Sequence, residues 1–187
     1  GSQALASAEL RHGAWYASLG EIRATEGRCA DLDNLVTACR RAVALGDGDL
    51  AAGALDGACA ALGLRGPFQT GVELAESVCG MPGLGERAAA HAQSALARSL
   101  VDCGRSDSAH ALYDRALECA RAAGDRYCEA KVTIRLGWLH LEQGRMDEAR
   151  AQHIAAMKMA RELGDRRLEY WAMRALGSVD FDEGRID

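Results

Sequence analysis

The residue types that most often carry chemistry are present in this chain, but their spacing forms no reactive site. The chain has 187 residues, with 5 histidines and 7 cysteines among them. No two histidines stand in the H-E-x-x-H spacing and no two cysteines form C-x-x-C, so no metal site is predicted. Neither a phosphate-binding G-x-x-x-x-G-K-[ST] loop nor a G-x-S-x-G nucleophile turn occurs. We therefore predict no catalytic residue and no cofactor, and we expect that the protein is not an enzyme.

The cysteines are odd in number, which argues against a disulfide framework. In a helical chain of this size they are typical of small buried side chains in a reducing compartment. A disulfide, a metal site or a redox sensor stays open as the alternative. The seven are Cys29, Cys39, Cys59, Cys79, Cys103, Cys119 and Cys128.

The overall composition indicates a helical globular protein that binds neither nucleic acid nor membrane. Charged residues make up 26% of the chain, hydrophobic residues 49% and aromatic residues only 5%. The net charge of -5 argues against a nucleic-acid partner, because phosphate contacts need a basic surface. No run approaches the roughly 20 apolar residues of a membrane span, and no secretory signal is visible. We expect a cytoplasmic protein.

A repeat of 40 residues organises the sequence. Gly104, Gly144 and Gly184 stand 40 residues apart, and each is followed by arginine. Gly124 and Gly164 lie 20 residues after the first two, and each is followed by aspartate. Self-similarity at such a period is the signature of stacked structural units. The unit is therefore a glycine turn, a helix, a glycine-aspartate turn and a second helix.

The period predicts a single array of helix pairs over residues 1–187. The repeats occupy 7–45, 49–80, 85–123 and 126–163, and 166–183 is the first helix of a fifth. The individual helices are predicted at 7–26, 30–45, 49–63, 67–80, 85–102, 106–123, 126–143, 146–163 and 166–183. Because Gly184-Arg185-Ile186-Asp187 starts a helix that does not follow, we expect a fragment of a larger protein.

Local chemistry explains where these helices end and begin. Glycine adopts the left-handed conformation that often closes a helix, because it has no Cβ. Asp47, Asp125 and Asp165 follow such glycines, at positions where a carboxylate can accept from the free amides of the next helix. Ser106 and Asp107 could cap the helix predicted at 106–123.

The small residues within each unit carry a family resemblance. Leu136-Gly137, Gly144, Ala149 and Ala156 resemble the small positions of the tetratricopeptide repeat. The large positions depart from it, because His140 and His153 stand where aromatic residues are usual. The period of 40 also exceeds the usual 34. The resemblance implies an all-α, right-handed superhelical solenoid of antiparallel helix pairs, and a non-catalytic protein-binding or peptide-binding function.

The N-terminal half carries a second resemblance, in Arg11-His12, Trp15-Tyr16, Leu19-Gly20-Glu21, Asp31-Leu32-Asp33-Asn34-Leu35 and Gly46-Asp47. It looks like the start of the helical array that follows the nucleotide-binding core in large bacterial signalling ATPases of the STAND class. Similar arrays occur in proteins fused to serine/threonine kinase domains. The resemblance implies a sensory or scaffolding fragment of a bacterial signalling protein.

The first helix of each pair lines the concave groove of the tetratricopeptide repeat, so the resemblance implies a set of groove residues. Tryptophan and arginine often anchor binding surfaces, and basic side chains favour an acidic peptide. The alternative is that the tryptophans fill gaps between helix pairs and the basic residues are solvated. The predicted partner-binding residues are His91, Ser94, Arg98, Lys131, Ile134, Trp138, Trp171, Arg174 and Ser178, with Trp15, Ser18 and Glu21 as a weaker group.

Two other functions remain open from the sequence. In the first, the loosely periodic segment 49–80 provides a pocket and the protein senses a small molecule. In the second, the unfinished fifth repeat pairs with a second copy of the chain through Trp171, Met173, Leu176 and Phe181, giving a homodimer.

Overall fold

The structure, a computed structural model, describes residues 2–25 and 29–185. In this part of the chain there are ten α-helices and no β-strand. The all-α, helical-repeat class predicted from the sequence is confirmed. The helices are α1 Ser2–Ser18, α2 Gly20–Thr25, α3 Leu32–Leu45, α4 Gly48–Arg65, α5 Phe68–Cys79, α6 Glu86–Asp102, α7 Ala109–Ala122, α8 Arg126–Glu142, α9 Met146–Leu163 and α10 Arg166–Asp182.

Two helices differ from the predicted pattern. The helix predicted at 7–26 begins earlier, at Ser2, and is interrupted after Ser18, where Gly20 adopts a left-handed φ of 63°. The predicted end at residue 26 lies outside the described residues. The helix predicted at 106–123 starts at Ala109, because Ser106–Ser108 forms one turn of 3-10 helix without a side-chain cap.

The turns that set the repeat are built as predicted. The glycines at 104, 124, 144, 164 and 184 all have φ between 66° and 74°. Side chains with a Cβ rarely adopt this conformation. Asp47, Asp125 and Asp165 then cap the following helices, accepting from the amides of Leu50, Cys128 and Leu168 at 3.0 Å. The period therefore comes from local backbone chemistry repeated along the chain.

The chain divides into two compact units, Gly1–Leu112 and Tyr113–Asp187. In the first unit α4 packs against α1, α2, α3, α5 and α6. Its side chains are buried on all sides, because the helix consists mainly of alanine and glycine. A helix that is apolar all round belongs in a core. Segment 49–80, which has the weakest repeat pattern, therefore supplies the central helix of this unit.

Glycines let the neighbours of α4 approach closely. A Cβ built on Gly53 would lie 2.9 Å from the Cβ of Ala17, and one on Gly57 would lie 3.0 Å from Cδ2 of Leu35. Real Cβ atoms essentially never lie as close as at Gly53, so a larger residue there would push α1 away; at Gly57 the contact is tight, and the Leu35 side chain would have to shift.

The second unit contains the helix pair α8 and α9, with α10 packed mainly against α9 and also against α8. Its tightest contact lies at Gly137, the glycine of the Leu136-Gly137 pair. A Cβ built on Gly137 would lie 2.6 Å from Nδ1 of His153, whose ring fills the space that a side chain would occupy. Gly177 stands at the same repeat position in α10, but apart from its chain neighbours and its own helix backbone no atom of the described chain lies within 4 Å of a Cβ built there.

These two glycines provide a matched test of the packing. We expect Gly137→Ala to lower the free energy of unfolding by about 1–3 kcal/mol, because the new methyl group collides with the His153 ring. We expect Gly177→Ala to raise it by about 0.5–1 kcal/mol, because alanine is the better helix former and meets nothing. Urea unfolding followed by circular dichroism measures both. Equal effects of the two substitutions would contradict the packing.

Candidate partner-binding face

Five of the predicted groove residues lie on equivalent sides of α8 and α10. We call this set, Ile134, Trp138, Trp171, Arg174 and Ser178, the α8–α10 face. Ile134 and Trp138 stand 40 residues before Arg174 and Ser178, so the repeat gives them the same orientation. The guanidinium carbon of Arg174 lies 6.0 Å from the centroid of the Trp138 ring, at cation–π distance. This contact joins the side of α8 that carries Trp138 to the equivalent side of α10, which carries Arg174.

The Trp138 side chain packs against the core of the second unit and is also partly exposed at its surface. Its indole is half-buried and packs beside the buried side chains of α8, α9 and α10. It also meets the ring of His153 edge-on, with 5.8 Å between the ring centroids. The two sequence interpretations, core filler and surface anchor, are therefore compatible for this residue.

Accessibility divides the predicted residues of the second unit. Arg174 is exposed, and Trp171 and Ser178 are half-buried. Lys131 and Ile134 are buried, and the Lys131 ammonium lies 5.9 Å from the Tyr127 ring centroid. A buried side chain shapes a binding face but does not touch a partner that docks on it. The accessible part of the α8–α10 face is therefore Trp138, Trp171, Arg174 and Ser178.

The predicted residues of the first unit are engaged with neighbouring side chains. The Nδ1 atom of His91 lies 2.6 Å from a carboxylate oxygen of Asp56, which projects from α4. Arg98 lies 3.6 Å from the Glu21 carboxylate and 3.8 Å from that of Asp102. Ser94 is fully buried. Because two carboxylates offset the charge of Arg98, this group offers less attraction to an acidic peptide than the exposed Arg174.

Asp56 is a polar contributor that the sequence reasoning missed. It is buried in the middle of α4, and it fixes the orientation of the His91 ring. The signal that could have found it is an aspartate within an otherwise apolar run of alanine, glycine and leucine. Charged residues are rarely buried unless they have a partner, so such an aspartate implies one.

The weaker predicted group in α1 and α2 has other contacts. Trp15 is exposed, and the hydroxyl of Ser18 donates to the carbonyl of Trp15 at 2.7 Å. Glu21 lies beside Arg98, as described above.

Four of the seven cysteines, including Cys39 and Cys59, are buried, and none forms a disulfide. Burial raises the pKa of the Cys39 thiol to about 12, with the neighbouring Cys59 as a smaller cause. Its Sγ lies 3.6 Å from the carbonyl oxygen of Ala51. A thiol with so high a pKa is not reactive at neutral pH, so Cys39 acts as a packing residue.

No three His, Cys, Asp or Glu side chains of residues 2–25 and 29–185 come together as ligands for a metal ion. None of the helices described is both long and apolar enough to cross a lipid bilayer. An open cavity of about 400 Å³ lies between the turn at 45–49 and the loop at 81–85. Apart from Asp49, none of the residues that line it belongs to segment 49–80.

Comparison with known proteins agrees with the helix-pair architecture. Residues 88–162 match the tetratricopeptide repeat family. Tetratricopeptide repeats generally mediate protein–protein interaction or scaffolding, and they are typically non-catalytic. No curated protein matches the chain.

Among solved structures, the crystal structure of BtubC (BKLC) from P. vanneervenii is similar. It has a TM-score of 0.67 and 22% sequence identity, and the match covers 94% of this chain and 75% of that chain. At this identity the likeness concerns the fold alone.

His153 is a buried polar residue whose ring contacts Trp138 of the α8–α10 face. Its ring is fully buried, and neither ring nitrogen has a hydrogen-bond partner among the described residues. Burial lowers the pKa of His153 to about 4, and the charge of His140 is a smaller cause. The imidazole is therefore neutral at pH 7 in the folded protein.

The lowered pKa predicts an acid-sensitive contribution to stability. Below the unfolded pKa of about 6.5 the unfolded chain takes up a proton at His153, whereas the folded chain does not until about pH 4. The contribution of the neutral His153 to the free energy of unfolding is therefore fully present above about pH 7, and it is lost as the pH drops towards 4. Between about pH 7.5 and 4.5 we expect His153 to account for a loss of about 2–3 kcal/mol.

His153→Phe isolates this effect, because it keeps a planar ring at Gly137 but cannot be protonated. Urea unfolding gives, for each protein, the loss of unfolding free energy between the two pH values. The excess loss in the wild type over that in His153→Phe is the contribution of His153, because the titration of all other groups is common to both proteins. An equal loss in both proteins would contradict a neutral, buried His153.

Proposed function

We propose that this chain is a non-catalytic protein-binding or peptide-binding module that holds an acidic segment on the α8–α10 face. The observation that carries the proposal is the Arg174–Trp138 contact. It presents an exposed guanidinium beside a half-buried indole on two adjacent helices. Tryptophan and arginine are enriched among residues that dominate binding energy, because they combine large contact area with directed hydrogen bonds.

The charge of this face supports an acidic partner. The Arg174 guanidinium lies beside the Trp138 ring and is exposed, so its N–H groups can donate to a carboxylate of a partner. Guanidinium and carboxylate can form two parallel hydrogen bonds, so the pair gives orientation as well as attraction. Ser178 lies one turn further along the same helix side as an additional polar group. His91, Ser94 and Arg98 have their own contacts in the first unit and are left out of this face.

Packed helices suit this role physically. A binding face built on helices held by close contacts is already ordered, so a partner does not have to order it on binding. In a bacterial signalling protein, such as a STAND-class ATPase or a kinase-fused regulator, this binding would shift an on/off equilibrium if the partner preferred one state. The proposal includes this sensory or scaffolding role and a cytoplasmic location, because the N-terminal half resembles the helical array of STAND-class ATPases.

The proposal is tested by selection of peptides whose composition is not chosen in advance. We expect a displayed library of random peptides, selected on the immobilised protein, to become enriched in Asp and Glu. A selected peptide is then labelled, and its dissociation constant is measured by fluorescence anisotropy. We expect Arg174→Glu to weaken binding at least tenfold, about 1.4 kcal/mol, because repulsion replaces the ion pair.

The matched control is Lys158→Glu, an equal charge change at an exposed site on α9. It should change the dissociation constant less than about twofold, since long-range effects between exposed charges are screened by salt. Helical circular dichroism should be the same for all three proteins. Selection without acidic enrichment, or equal effects of the two substitutions, would contradict the proposed face.

A further inference from the structure

A small cavity lies between α3 and α5 in the first unit. It has a volume of about 230 Å³ and is open to the surface. Pockets for drug-sized molecules usually measure about 300–1,000 Å³, so this cavity has room for a smaller molecule. Part of its lining belongs to segment 49–80, for which the sequence left a small-molecule pocket as an alternative. The lining residues are Arg40 and Val43 from α3, with Glu73, Leu74 and Ser77 from α5.

The floor of this cavity is apolar and is held in place by the core. Leu74 is only 3% exposed and belongs to the hydrophobic cluster of the first unit. Val43 is half-buried and packs against the same cluster. Because core side chains are closely packed, their positions are fixed before a ligand arrives. The cavity therefore has a preformed apolar surface on which the hydrocarbon part of a ligand would lose contact with water.

The two helices that line the cavity bring opposite charges to it. The guanidinium of Arg40 comes from α3 and the carboxylate of Glu73 comes from α5, and both side chains are exposed. Within residues 2–25 and 29–185 these two side chains form no ion pair, either with each other or with another residue. A charged ligand would therefore not have to break an ion pair of the protein in order to bind here.

Ser77 gives the α5 side of the cavity a second acceptor. Its hydroxyl donates to the backbone carbonyl of Glu73 at 2.8 Å, so the hydroxyl proton is already used. The oxygen keeps lone pairs that can accept from a ligand. Glu73 and Ser77 are four residues apart and lie on one side of α5. An ammonium group, with three N–H donors, matches these acceptors, whereas the guanidinium of Arg40 matches a carboxylate.

We propose that this cavity binds a free α-amino acid with an apolar side chain. The carboxylate of the ligand pairs with Arg40, and its ammonium group pairs with Glu73 and Ser77. Its side chain covers the floor formed by Val43 and Leu74. Such a ligand carries both charges and an apolar group within a few bonds, which a simple carboxylate, amine or hydrocarbon does not. The site uses residues of α3 and α5 and goes beyond the proposed peptide-binding function.

L-Leucine is the probe, because it combines the two charges with a branched apolar side chain. The isotope-labelled protein is titrated with leucine, and the backbone amide shifts are followed by NMR. We expect saturable shifts that are largest in α3 and α5. The dissociation constant should be about 1 mM, since ion pairs with exposed side chains are weakened by water and salt. Glycine should bind about threefold more weakly or worse, because it has no side chain to cover the floor.

Two analogues with a single charge test each ion pair separately. The analogue 4-methylpentanoate lacks the ammonium group, and 3-methylbutylamine lacks the carboxylate. Glu73→Gln should weaken the binding of leucine by about fivefold or more, but it should change the binding of 4-methylpentanoate less than about twofold. Arg40→Gln should weaken the binding of leucine similarly, but it should leave that of 3-methylbutylamine within about twofold. A merely structural effect of either substitution would weaken leucine and both analogues together.

The matched controls are Glu76→Gln and Arg23→Gln, which each remove one charge at an exposed residue that does not line the cavity. They should change the dissociation constant of leucine less than about twofold. Absence of saturable binding, shifts confined to helices other than α3 and α5, or equal effects of the test and control substitutions would overturn the proposal. Arg174 is unchanged in all four variants, so failure here is distinguishable from failure of the α8–α10 face.

Discussion

Close approach between helices is the constraint on which the described packing depends. Around α4 the approach is set by Gly53 and Gly57, and in the second unit it is set by Gly137 facing His153. At each place a single methyl group would occupy space already held by a neighbour. Dispersion contacts weaken steeply with separation, so a small increase in distance along a helix would cost many contacts at once. Small side chains therefore contribute more here than their own buried area suggests.

The parts of the fold that follow local rules could be predicted from the sequence. The turn at Gly144 and the caps at Asp125 and Asp165 depend on the residue and its immediate neighbours, so their spacing gave the period and most helix bounds. The central position of α4 could not be obtained in this way. Its alanines have no strong side preference, and only the five helices around it show that all sides are buried. The break at Gly20 also escaped prediction, because the same Leu-Gly pair is helical at Gly137.

The same division applies to the binding residues. The repeat places Trp138 and Arg174 on equivalent helix sides, and their contact agrees with that placement. Accessibility does not follow from the repeat. Lys131 and Trp171 occupy equivalent positions, yet Lys131 is buried and Trp171 is half-buried. The Asp56–His91 pair joins residues 35 positions apart, and neither has a sequence pattern that names the other. The repeat period predicts which side of its helix a residue occupies, whereas its burial depends on the elements that pack beside that side.

The neutral His153 contacts both Gly137, where α8 and α9 approach closely, and Trp138 of the α8–α10 face. A phenylalanine at this position would have no polar atoms to bury, whereas the imidazole loses hydrogen bonds to water from both nitrogens. What the imidazole provides is a flat ring that fits above Gly137 and supports the edge of Trp138. Trp138 in turn lies at cation–π distance from Arg174, the exposed charge of the α8–α10 face. The orientation of that charge thus depends on a chain of ring contacts that begins at a residue without a Cβ, where one more methyl group would displace the first ring.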